Sequence, residues 1–106
     1  MARMATTEYV RPLGENARLR HRHETRKGEV TEFAIQLEVY SGGAWVPIVR
    51  YDTAHGRPHV DFYVTVRRRT KQFLDLSLAE ALTLADEDLK ENWERYRDDF
   101  LRRTGR

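Results

Sequence analysis

The sequence predicts an α+β fold in which a four- to five-stranded antiparallel meander sheet, over roughly residues 17–74, packs on one long C-terminal α-helix. Three observations carry this. Phe33, Ile35, Leu37 and Val39 alternate with Ala34, Gln36, Glu38 and Tyr40, and Val60, Phe62, Val64 and Val66 repeat the period, which is that of half-buried strands. Gly42-Gly43 follows the first run as a two-residue hairpin loop that accepts positive φ at both positions. From Leu78 to Phe100, apolar residues then recur at spacings of three and four, giving one stripe along a helix.

Residues 1–16 carry Pro12, Gly14 and Asn16 without a sustained period and are expected to form a flexible N-terminal arm, with 17–106 as a single α+β domain. Ala17 to Arg26 reads as the first strand, joined to the next by a three-residue loop, Lys27-Gly28-Glu29. That register sets Leu19 beside Leu37, His21 beside Ile35 and His23 beside Phe33. Arg18, Arg20 and Arg22 then share the opposite face with Gln36 and Glu38. A two-residue loop would turn the arginines into the core, which desolvation forbids.

Counting out from Gly42-Gly43, Val39 faces Val46, Leu37 faces Ile48, Ile35 faces Arg50 and Phe33 faces Asp52. A five-residue connection, Thr53 to Arg57, would hold Val60 and Phe62 on the same inner face. Arg67, Arg68 and Arg69 read as an exposed turn, with Gln72 to Leu74 as a short fifth strand. Ser77-Leu78-Ala79-Glu80 has capping-box form and starts the helix. On the far side of its stripe, Asp86 with Lys90, Glu91 with Arg95, Asp98 with Arg102 and Asp99 with Arg103 are spaced as i,i+4 pairs.

Composition narrows the function classes. With no cysteine among 106 residues, disulfide frameworks and thiolate metal sites are excluded. No apolar run reaches the length of a membrane span or signal peptide, and a cytoplasmic location is expected. The net charge of +2 hides an asymmetry: residues 1–71 hold 13 Lys+Arg against 8 Asp+Glu, and residues 72–106 hold 6 against 9. The basic sheet half is rich in arginine, whose planar fork suits phosphate and carboxylate.

These registers gather His21, His23, Arg50 and Asp52 at one end of the inner face, with His55 in the adjoining loop. By parity His59 falls on the other face with Tyr51, outside the cluster. Imidazoles that titrate near neutrality, beside an arginine, form the inventory of metal-independent RNA cleavage. Arg50 would hold phosphate, His55 and His23 would exchange protons, and Asp52 would orient one of them. His21, His23 and Asp52, with His55 as a further candidate ligand, also admit zinc or another divalent metal, and an ion pair at the rim of the core is the third alternative. No cofactor is called for.

On the other face, Tyr40, Trp45, Tyr51 and Tyr63 stand among Arg18, Arg20 and Arg22. Aromatics among arginines can stack bases and grip phosphates, and protein interfaces favour the same residues. The open alternatives are therefore RNA binding or cleavage, and a non-catalytic protein-binding or self-associating module such as a homodimer.

Val49-Arg50-Tyr51-Asp52-Thr53-Ala54-His55-Gly56, followed by Pro58-His59, resembles a segment of small uncharacterised bacterial and archaeal proteins. The helix around Asp88 to Tyr96 resembles the closing helix of the same group. The Arg-Tyr-Asp then His pattern is also similar to that of TumE-like toxin components of toxin-antitoxin pairs. That resemblance implies action on RNA, a cognate antitoxin-like partner, and roles for Arg50, Asp52 and His55. This chain departs from the pattern at Val60-Asp61-Phe62, where a histidine-rich stretch would stand.

Overall fold

The computed structural model describes residues 3–105, the side chain of His55 excepted. Six antiparallel strands form one meander sheet in chain order: β1 (Met4–Gly14), β2 (Ala17–Arg26), β3 (Glu29–Ser41), β4 (Ala44–Asp52), β5 (His59–Thr65) and β6 (Arg68–Phe73). A single helix, α1 (Leu78–Thr104), covers one face. The α+β class and the long closing helix are as the sequence predicts, and the strand count is six rather than four to five.

The extra strand is β1, which occupies the stretch expected as an arm and pairs along β2 from Met4 opposite Arg26 to Gly14 opposite Ala17. It shows no apolar period because neither of its faces is covered: every side chain from Met4 to Pro12 is exposed. The segment read as an arginine turn also belongs to a strand. Val66 and Arg67 make the turn, and Arg68 and Arg69 open β6.

The β2 to β3 hairpin reaches its expected pairing by another route. Its loop is two residues, Lys27 and Gly28, both at positive φ, rather than three. A bulge at Glu24/Thr25 then restores the parity that the short loop would have reversed, so Leu19 still opposes Leu37 and His21 still opposes Ile35. The arginines stay out of the core.

The β3 to β4 hairpin turns at Gly42 and Gly43, both at positive φ, and Val39 opposes Val46 as expected. Beyond this the predicted register fails. Glu38 pairs with Pro47 and Leu37 with Val49, leaving Ile48 as an extra residue. A proline gives the ladder no N–H, which is why strand prolines mark edges or bulges. Ile48 and Val49 are both buried, and everything after them changes face. Tyr51, not Arg50, opposes Ile35, while Arg50 opposes Gln36 and Asp52 opposes Ala34. Six residues, 53–58, link β4 to β5, so Val60 pairs with Tyr51 and Phe62 with Val49 on the helix side.

The core lies between this side and α1. Leu19, Phe33, Ile35, Leu37, Val39 and Val60 meet Ala81, Ala85, Leu89 and Phe100. The helix starts on a complete capping box, Ser77 Oγ accepting from Glu80 N–H and Glu80 accepting from Ser77 N–H, and ends on Gly105 in the left-handed conformation. Of the four spaced charge pairs, Asp86 and Lys90 meet at 2.8 Å, whereas Asp98 pairs with Arg97 and Asp99 with Arg102.

Candidate functional site on the open sheet face

The Pro47 bulge divides the predicted catalytic set between the two faces. His21 and His23 remain on the helix side, as expected. His21 stacks on Tyr9 with ring centroids 4.6 Å apart, and its Nε2 lies 2.7 Å from His23 Nδ1. Burial, then the neighbouring His23, holds the His21 imidazole below its ordinary pKa, and its buried Nδ1 meets no partner. Arg50 and Asp52 stand on the opposite face and cannot act with this pair. His55 lies in the single 3-10 turn Ala54–Gly56, its side chain outside the described residues.

Tyr51, expected on the open face as a base-stacking residue, also changes sides. Its hydroxyl donates to Asp88 Oδ2 at 2.7 Å, beside Tyr96, which donates to the same oxygen at 2.7 Å. Burial first and the Asp88 carboxylate second raise both phenols, Tyr96 to about 12. Tyr51 is therefore a tie between sheet and helix.

The open face carries a different cluster, centred on a residue that sequence parity had set aside. His59 opposes Asp52 across β4 and β5 and is only 2% exposed. Its Nε2 lies 3.2 Å from Asp52 Oδ1 and 3.7 Å from Asp61 Oδ2, and its Nδ1 lies 3.3 Å from the carbonyl of Arg57. Both ring nitrogens thus face acceptors. Phe73 closes over the ring at 5.9 Å, edge on, and Arg57 stacks on Phe73.

Asp52 joins this buried group to the surface. Its Oδ2 accepts from Arg50 Nε at 2.7 Å, and its Oδ1 accepts from the Ala54 N–H at 2.7 Å. Burial raises the pKa of this carboxyl, but the Ala54 N–H and the Arg50 guanidinium outweigh it, so the group sits below the usual aspartate range. Arg50 also donates to Gln36 at 3.1 Å. Asp61 is less well served: its Oδ1 is buried without a partner, and Arg69 approaches its other oxygen only to 4.0 Å.

Around this group the face is dished rather than flat. A depression of about 390 Å³ is bordered by Arg22, Glu32, Arg50, Asp52 and Thr53, with Ala34 on the central strand among its lining residues. A second, of about 180 Å³, adjoins it and shares Arg22, Ala34 and Arg50, adding Arg20, Gln36 and Glu8. The short Ala34 side chain, flanked by Arg22 and Asp52 on neighbouring strands, leaves the space.

Arg18, Arg20 and Arg22 stand on this face, as the sequence predicts. Arg18 donates to Glu38 at 2.7 Å and lies 4.1 Å over the Trp45 ring. Arg22 is bridged to Glu24 and Glu32, and Arg20 reaches Glu38 only at 4.0 Å while half exposed. Tyr63 opposes Arg69, which bonds its hydroxyl at 3.2 Å. Sequence reading missed His59 and Asp61, and Pro47 was the signal: a bulge there moves Arg50 and Asp52 to the face that His59 and Asp61 occupy. No group of three or more potential metal ligands is found among the described residues.

A family model described as a domain of unknown function, DUF7718, matches residues 4–106. The chain belongs to that family. The match takes in the whole of β1. No curated protein and no solved structure matches the chain. No helix is long and apolar enough to cross a membrane among the described residues.

Proposed function

We propose that the open face of the sheet binds single-stranded RNA and does not cleave it. The observation that carries this reading is the pair of adjoining depressions, walled by Arg20, Arg22 and Arg50 and lined between them by Ala34 and Gln36. Guanidinium forks suit phosphate oxygens, and a dished sheet face with arginine beside aromatics suits unpaired nucleotides, whose bases are free to stack. Tyr40, 45% exposed at the hairpin end of the same face, offers a ring for such stacking. Binding without cleavage is the reading that the described imidazoles support. Of the described histidine side chains, His23 and His59 line neither depression, and the His21 ring at the edge of the smaller one is stacked on Tyr9.

Fluorescence anisotropy with a labelled single-stranded RNA of mixed sequence tests this. Micromolar affinity is expected, falling at least about tenfold in Arg20→Ala/Arg50→Ala, with a salt slope lower by about 0.7 for each phosphate contact removed. The RNA should stay intact on a gel. No binding at low salt, or binding that ignores both substitutions, would refute the reading.

One observation favours a second reading, in which the face meets a protein. Arg18, Arg22 and Arg50 are each already paired with carboxylates, so the surface offers both signs in alternation. A partner with the opposite alternation would match it. Loss of partner capture in Trp45→Ala, with no RNA affinity in the unmodified chain, would decide for that reading.

A further inference from the structure

The two edges of the sheet are built differently. β6 is six residues long and carries Arg68, Arg69 and Lys71. Shortness and cations are how sheet edges discourage the addition of another strand. β1 runs for 11 residues, and its stretch from Met4 to Val10 holds no proline and one charge, Glu8. Met4 is 61% and Val10 49% exposed on it.

Two hydrogen bonds set the phase of the ladder. Lys27 N–H donates to Arg3 O at 2.9 Å, and Tyr40 N–H donates to Asn16 O at 2.9 Å. In an antiparallel ladder bonded and non-bonded pairs alternate, so Ala5, Thr7 and Tyr9 exchange bonds with β2. Met4, Thr6, Glu8 and Val10 therefore turn their N–H and C=O groups away from the sheet. Pro12 falls in the same phase and has no N–H, which ends the usable edge.

We propose that this edge pairs antiparallel with the same edge of a second copy of the chain, about a two-fold axis through Thr7. In that register Thr6 meets Glu8 of the partner subunit and Met4 meets Val10 of the partner subunit, each twice. About eight ladder hydrogen bonds form, and every free donor from Met4 to Val10 is used. The exposed Met4 and Val10 side chains cover each other at both ends of the interface. An axis at Glu8 would oppose like charges, and an axis at Tyr9 would set Pro12 against Thr6 and lose ladder bonds. An axis at Thr6 would set Met4 against Glu8 and part it from Val10. The two sheets become continuous, with both helices on one side and both open faces on the other.

Sedimentation of the full chain should show a dimer at tens of micromolar. Thr6→Pro removes an outward N–H together with an exposed 3.4 Å hydroxyl contact to Glu24, and should weaken the dimer at least tenfold with the circular dichroism spectrum unchanged. Because the chain has no cysteine, Thr7→Cys supplies a single thiol. Across the axis this pair is non-hydrogen-bonded, with Cα atoms about 4.5 Å apart, within disulfide reach. Mild oxidation should link Thr7→Cys into a covalent dimer faster than Tyr9→Cys. A monomer at all concentrations, a dimer indifferent to Thr6→Pro, or faster linkage at Tyr9→Cys would overturn the assignment. RNA affinity of the open face plays no part in these readings.

Discussion

The two faces of the sheet satisfy their polar groups in different ways. On the helix side, Tyr51 crosses from β4 to Asp88 of α1, where Tyr96 and Asn92 also converge. That contact joins two layers and holds the helix in place. On the open face, Asp52, His59, Asp61 and Arg50 find partners within the sheet or its adjoining loop. Such a network adds little to the union of sheet and helix, and it places charged groups beside a depression open to solvent. Polar contacts across layers serve architecture here, whereas polar contacts within a layer build a surface.

This contrast can be broken by substitution. Leu37→Ala empties a site with no exposure and should cost about 2–5 kcal/mol in denaturant unfolding. His59→Leu removes the imidazole that stands between Asp52 and Asp61, and should cost about 3 kcal/mol because buried Asp61 is left with only the 4.0 Å approach of Arg69. Adding Asp61→Leu to that variant should restore part of the loss, and failure to do so would show that the carboxylate is not the source of the cost. Tyr51→Phe should cost about 1–2 kcal/mol and leave RNA affinity unchanged, which separates the two faces in one experiment.

A smaller effect is expected from acid. Asp52 has a folded pKa below its unfolded value, so its contribution to stability is full above about pH 4 and is lost as pH falls through the depressed value. The His21 imidazole is also held below its ordinary value in the fold. Its unfolded form takes up a proton first as pH falls below about 6.5, so stability begins to decline there. His21→Gln should flatten the upper part of the thermal midpoint profile and Asp52→Asn the lower part. The smallest change should come from Gln36→Ala, about 0.5–1 kcal/mol, since it removes only the hydrogen bonds with Arg50 and Glu38 on the open face.

Much of the scaffold was legible in local chemistry. Gly42-Gly43 and the capping box at Ser77 act over a few residues, and the stripe from Leu78 to Phe100 needs only helical geometry. Even the loop miscounted at Lys27-Gly28 left Leu19 against Leu37, because burying Arg18, Arg20 and Arg22 costs more than a bulge. At β4 no such penalty acts in the sequence, since Arg50 and Tyr51 each tolerate the rim of a core. Local pattern consequently puts Arg50 and Asp52 on the helix side, whereas the fold sets them with His59 and Asp61 on the open face.

What the sequence by itself determined is the set of elements and the side to which strongly apolar or strongly charged runs must turn, because desolvation acts on each residue alone. Only the tertiary structure decided which face Arg50 and Asp52 occupy and that Met4–Gly14 is a strand at all. The first turns on one inserted residue beside Pro47, which reverses all that follow it in a period of two. The second depends on the free ladder of β2, a partner that residues 4–14 do not encode in any apolar pattern of their own.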